Sequence, residues 1–151
     1  MDDAYATSLT IQQVHPSHQL DEEFLDALIR HVIAAEHGRL VHLSVVLTDH
    51  DTVRSLNASY LEHDYDTDVL SFSLRDAPNE DEDLVEGEIY VDLDTAAERH
   101  EEFDATFAEE AHRYVIHGLL HLLGYDDQTA AGQEKMRALE DQYLDASPLA
   151  S

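Results

Sequence analysis

The chain of 151 residues contains no cysteine. Disulfide scaffolds and thiolate ligands are therefore excluded, and any metal it holds must be bound through nitrogen and oxygen. Positive charge is almost as scarce: eight lysine and arginine residues, of which only Lys135 is a lysine, stand against 34 acidic ones, for a net charge of −26. No apolar run approaches the roughly 20 residues needed to span a bilayer. The opening stretch MDDAYATSLT has neither the basic nor the apolar region of a signal peptide. A cytoplasmic protein with no membrane partner is expected. With no internal repeat and no shift in composition, the length suits one domain over residues 1–151.

The acidity needs a physical reading. A disordered acidic chain is disfavoured by 43% hydrophobic content and by clear periodic segments. A basic protein partner would leave one acidic docking patch, whereas here the carboxylates run along the whole sequence. The pattern fits a surface adapted to very high salt, where a Debye length of about 3 Å at 1 M mutes self-repulsion.

Apolar positions alternate at Leu9, Ile11 and Val14 within Ser8–His15, predicting a half-buried strand that Pro16 ends. From Asp21, a plausible N-cap, the spacing turns helical through Phe24, Leu25, Leu28, Ile29, Val32 and Ile33, and Gly38 is expected to stop it. Leu40–Leu47 is short and rich in β-branched residues, as in a central strand. A helix capped by Thr48 or Asp49 follows to about Leu61, then a strand at Val69–Leu74. An acidic loop from Asp76 precedes a strand at Glu86–Asp92, expected to pair with the previous one as a hairpin. A short helix at Asp94–Arg99, a buried helix from Thr106 to Leu123, and an amphipathic helix after Thr129 with Met136, Leu139, Tyr143 and Leu144 inward complete the chain. The order predicts an α+β domain: one small mixed sheet covered by helices.

The chemistry concentrates in His117–Asp127, HGLLHLLGYDD. Side chains at i and i+4 lie one above the other on a helix, so the rings of His117 and His121 can converge on one ion. Gly124 can take the left-handed conformation that turns the chain back, bringing Asp126 or Asp127 beside them. Two imidazoles and a carboxylate, with a fourth position open to water, are the ligand set of a catalytic zinc. The same set suits a non-haem Fe(II) oxygenase, although no barrel-like strand series accompanies it. A pair of hydrogen-bonded core histidines is the competing reading, because HxxxH arises by chance in a chain with 11 histidines. Gly118 stands where zinc proteases of the HExxH type keep their general base, which argues against peptide hydrolysis.

Three blocks in order carry a family resemblance: Leu56-Asn57 with Tyr60 and then Thr67–Phe72 (TDVLSF), Gly87-Glu88-Ile89, and HGLLHLLGYDD. Together they resemble the YbeY family of bacterial endoribonucleases, the rRNA maturation factors, over most of the chain from Leu40 to Leu144. The resemblance implies a zincin-like metal helix packed on the sheet. It implies one zinc ion per chain held by His117, His121 and the residue at 127, and cleavage of single-stranded RNA rather than DNA. The expected setting is 16S rRNA 3′-end maturation and quality control on the small ribosomal subunit. Two departures stand out. Asp127 replaces the family's usual histidine, which keeps a ligand but lowers the site's net charge and its Lewis acidity. Leu61 replaces an arginine that could hold phosphate; His63, when protonated, is a candidate substitute, with a plain surface histidine as the alternative.

Arg113, one turn before His117, is a further phosphate candidate, and pairing with a carboxylate is its more ordinary role. Arg75 is similar; Ser71 and Thr67 fit the strand and its turn. Asp126 could move a proton, or simply bond its own turn. A ribosome-associated metal-binding module without activity is the alternative to the enzyme. Because RNA affinity normally comes from cations, the acidity implies local contacts and activity in molar salt.

Overall fold

A computed structural model describes residues 8–61, 68–74, 84–125 and 128–145. Strand β1 (Ser8–Gln13) leads to helix α1 (Glu22–Ala35), strand β2 (Arg39–Thr48) and helix α2 (His50–Leu61). Strands β3 (Val69–Ser73) and β4 (Leu84–Asp92) follow, then α3 (Leu93–Arg99), a 3-10 turn (His100–Phe103), α4 (Phe107–Leu122) and α5 (Ala130–Asp145).

The four strands lie in the order β1-β2-β4-β3. β1 and β4 run parallel to β2, with Leu9 opposite Leu43 and Val45 opposite Ile89, while β3 is antiparallel to β4, with Val69 opposite Val91. The sheet is mixed, β2 is internal, and β3 and β4 form the expected hairpin pair. Alternation decides its faces: Leu43, Val45 and Leu47 of β2 and Val85, Ile89 and Val91 of β4 are fully buried, whereas Glu86, Glu88 and Tyr90 are half-exposed. Against the buried face pack α1, through Leu25, Leu28, Ile29 and Val32, and α4, through Val115, Ile116, Leu119 and Leu120, in one apolar cluster.

The local signals explain most boundaries. Asp21 caps α1 by accepting from the Phe24 amide, and Asp49 caps α2 by accepting from the Thr52 amide. Hydrogen bonds from the Thr52 side chain and amide hold the Asp49 carboxyl below its usual range. Thr106 and Glu109 form a reciprocal capping box at the start of α4.

Several expectations need correction. β1 ends at Gln13, and Val14 is 55% exposed rather than inward: its amide still bonds the Leu47 carbonyl, but three residues after Ile11 its side chain falls on the outer face. Gly38 does not supply the reversal after α1: His37 does, at φ 60°, with its amide bonded to the Ala34 carbonyl and the Gly38 amide to the Ile33 carbonyl. The acidic loop yields to β4 already at Leu84. Leu122 and Leu123 are only half-buried, because the end of α4 emerges from the core. On α5, Met136, Leu139, Tyr143 and Leu144 all pack against the core as expected, and the unexpected inner residue is Glu140.

Two glycines set close approaches. A Cβ on Gly118 would lie 2.9 Å from the Ile89 side chain, so α4 rides directly on β4 at the turn that carries the histidines. One on Gly87 would lie 2.3 Å from the Phe72 carbonyl oxygen, which fixes glycine beside β3. No helix among the described residues is long and apolar enough to cross a membrane.

Candidate metal centre and its cavity

The helix places His117 and His121 as their spacing demands. Their Nε2 atoms face each other at 3.1 Å with the rings edge to face. What lies behind each ring fixes its proton. Nδ1 of His117 is 2.7 Å from Oε2 of Glu140, and Nδ1 of His121 is 3.2 Å from the Tyr125 carbonyl oxygen. Both partners can only accept, so both Nδ1 atoms carry hydrogen and both neutral rings aim an Nε2 lone pair into the same space. Two lone pairs at that distance need a proton or a cation between them. With metal–nitrogen bonds of about 2.0–2.1 Å, the spacing fits two ligands of one ion, so the donor set suits a divalent metal.

Behind this pair lies a buried carboxylate that the sequence reading passed over. Glu140 is 7% exposed and uses both oxygens: Oε2 accepts from His117, and Oε1 accepts from Arg113 Nη1 at 3.1 Å. Nη2 of Arg113 donates to Asp141 at 2.6 Å. Arg113 therefore has its ordinary role as a carboxylate partner while also lining the cavity before His117. A carboxylate behind a ligand histidine fixes its tautomer and raises its basicity. One signal for Glu140 was available: it continues the Met136–Tyr143 stripe on the inner face of α5, where an unpaired carboxylate would be costly.

Past His121 the helix closes as expected. Gly124 takes φ 104°, its amide bonds to the His121 carbonyl, and the Tyr125 amide reaches back to the Leu120 carbonyl. The Tyr125 hydroxyl then donates to Oε1 of Glu36 at 2.6 Å, and the Tyr143 hydroxyl donates to Oε2 of the same residue. Glu36, just past α1, thus ties down the segment leading to Asp126 and Asp127. The bond to Glu36, helped by burial, pushes the Tyr125 hydroxyl up to about 12. Asp126, Asp127, His63, Thr67 and Arg75 lie outside the described residues, and Leu61 closes α2.

Beside His117 opens a cavity of about 670 Å³, lined by Asp68, Arg99, Phe103, Glu110 and Tyr114 among others. That volume is within the roughly 300–1,000 Å³ of small-molecule sites. Burial pushes the Asp68 carboxyl above its usual range. Burial and the neighbouring Asp68 and Glu110 carboxylates also raise the Tyr114 hydroxyl well above the ordinary phenol range. Asp68, inside the TDVLSF block, is the second residue that the sequence reading did not single out.

A second group has the right atoms for a metal. Ligand atoms of His15, His18 and Asp94 lie within 4.8 Å of one another, close enough to share an ion.

A sequence model of the endoribonuclease YbeY family matches residues 10–147. The chain belongs to the endoribonuclease YbeY family. It is 62% identical over 146 residues to Endoribonuclease YbeY of Salinibacter ruber, covering 94% of this chain and 93% of that protein. It is 36% identical over 137 residues to that of Chlorobium phaeovibrioides, covering 90% and 89%. A solution structure of a Thermotoga maritima protein superposes with a TM-score of 0.60 at 31% identity, over 91% of this chain and 87% of that one. That likeness extends over the α+β arrangement described above, and the family sets the class of chemistry: an RNA-cleaving hydrolase.

Proposed function

We propose that this member of the family is a zinc-dependent endoribonuclease for single-stranded RNA. His117, His121 and Asp127 hold one ion per chain, and the protein acts in the cytoplasm on the 3′ end of 16S rRNA and in quality control of the small ribosomal subunit. The observation that carries the metal reading is the convergence of two Nε2 lone pairs at 3.1 Å with each Nδ1 hydrogen already committed. Zinc bound there supplies a Lewis acid for a phosphate oxygen and lowers the pKa of water.

The chain's own residues do the rest. Glu140 orients His117 and keeps its proton on Nδ1, while Arg113 balances the charge of Glu140. Glu36, through Tyr125 and Tyr143, steadies the turn at Gly124. The cavity beside His117 gives the RNA strand room to enter, and Gly118 leaves no side chain where a peptide-cleaving base would stand.

The test is cleavage of a single-stranded RNA with added Zn²⁺ across 0.1 to 3 M KCl, concentrations on the order of the range where screening saturates. Wild type should cut best in molar salt, while His117→Ala and Asp127→Ala should lose turnover and stay folded. A folded wild type that binds zinc and cuts no RNA would make the chain a ribosome-associated binding module; best activity at the lowest salt would overturn the halophilic reading.

A further inference from the structure

Phe103 is out of keeping with the rest of the core. Of the four phenylalanines in the chain, Phe24 and Phe107 pack against the apolar cluster and Phe72 meets Tyr90 edge to face, whereas Phe103 is 49% exposed. It is also held still. It ends the 3-10 turn after α3, which is closed by Asp104 at φ 55°, by the Ala105 amide bonding the His100 carbonyl, and by Nδ1 of His100 bonding the Ala105 carbonyl at 2.8 Å. The Arg99 guanidinium lies over its ring, 5.4 Å from the centroid, and Arg99 is tied to Glu102 only by a long contact of 3.7 Å.

Charge singles out the same wall. Arg99, Arg113 and Arg137 all line the cavity, against the carboxylates of Asp68, Glu110, Glu134 and Glu140. That is three cations to four acids in a chain with 8 to 34, so this wall repels RNA less than the chain's average composition would. Glu140 is further offset by Arg113. A preformed aromatic face with an arginine stacked on it is the arrangement that holds an unpaired base and its phosphate without reading sequence.

We propose that Phe103 and Arg99 form a nucleotide subsite in the cavity wall: one unpaired base of the RNA stacks on Phe103, and the adjoining phosphate is held by Arg99 and Arg137. The proposal rests on the endoribonuclease reading and adds where the strand is gripped away from the metal centre. It also explains how a chain of net charge −26 can bind a polyanion: the grip is stacking plus two local cations, not a broad basic surface.

The experiment is single-turnover cleavage by the full-length zinc-loaded protein of single-stranded RNAs that carry one abasic residue at successive positions. Apparent affinity and rate are read separately. Wild type should lose affinity by roughly 5- to 150-fold when the abasic residue falls at one particular position. Phe103→Ala should bind intact RNA more weakly by the same factor and no longer sense that position, and Phe103→Trp should restore both. Arg99→Gln should lower the salt slope of binding by about 0.7, one single-strand phosphate contact. If wild type cuts the RNAs and Phe103→Ala keeps the wild-type position profile, the subsite is overturned while the enzyme assignment stands. If wild type cuts none of them, the endoribonuclease reading fails and the subsite falls with it. Unfolding midpoints equal to wild type exclude a folding defect, expected to be absent at so exposed a side chain.

Discussion

His117 and His121 meet through Nε2 atoms 3.1 Å apart, and His15 reaches Asp94 through Nε2 at 2.7 Å with the His18 ring tilted beside it, centroids 4.7 Å apart. Both groups offer imidazoles in a short sequence interval and a carboxylate within reach. The difference is where the backbone leaves the proton. Nδ1 of His15 accepts from the amides of Ser17 and His18, both at 3.0 Å, so its hydrogen must sit on Nε2, where it donates to Asp94. Asp94 in turn accepts from the His50 amide, and these bonds, that to His50 first, hold its carboxyl below its usual range. An ion at this group would have to displace that proton and break the turn. At His117 and His121 the backbone and Glu140 occupy Nδ1 and leave Nε2 as the acceptor. Ligand types at ligand spacing are therefore not enough; the groups behind the rings decide whether a cluster binds an ion or pins a loop.

The sharpest way to break this contrast is to remove one histidine from each group and measure bound zinc after equilibration with the free metal. His117→Ala or His121→Ala should weaken metal affinity by more than about 100-fold, beyond the loss typical of an outer partner. His15→Ala should leave the stoichiometry at one ion per chain, and instead lower stability by about 2–4 kcal/mol in urea unfolding, because two turn amides and Asp94 lose a partner at a buried site. Loss of zinc in the His15 variant would reverse the assignment of the two clusters.

Glu140 offers a finer test of the same idea. Glu140→Gln keeps the shape and one acceptor but removes the charge behind His117, so zinc should bind about 10- to 100-fold more weakly. An unchanged affinity would show that Glu140 serves only Arg113 and the packing of α5.

A third kind of histidine completes the series. His112 is 8% exposed, stacks on Phe24 at 4.8 Å, and its Nε2 has no hydrogen-bond partner among the described residues. Burial pushes its pKa down to about 4 from 6.5. The unfolded chain therefore binds a proton there below about pH 6.5 that the folded chain refuses. Stability from this group is complete above that pH and falls by up to about 3 kcal/mol as pH drops towards 4. His112→Phe, which keeps the ring stack, should flatten the acid side of the urea midpoint against pH; a slope equal to wild type would mean that other groups carry it.

Much of this architecture was legible because it is local. The cap at Asp21, that at Asp49 as one of two candidates, the start of α4 near Thr106, and the reversal at Gly124 each follow from a few neighbouring residues. The HxxxH pair was legible for the same reason, since helical periodicity stacks i on i+4. Where local signals compete, they misled: Gly38 looked like the stop of α1, yet His37 takes the left-handed turn and Gly38 follows it. Leu139 and Leu144 do pack against the core as their spacing implied, but Glu140 is buried more deeply than either, because Arg113, 27 residues away, offsets its charge.

The order of ligands, helices and strands, and with it the family, was written in the chain, because those features depend on spacing between near neighbours. Which histidines present a lone pair was set partly by near neighbours, the Tyr125 carbonyl behind His121 and the Ser17 and His18 amides at His15, and partly by Glu140 and Asp94, which lie 23 and 79 positions away from His117 and His15. A proton on an imidazole goes where its surroundings accept it, and only the folded chain supplies those surroundings.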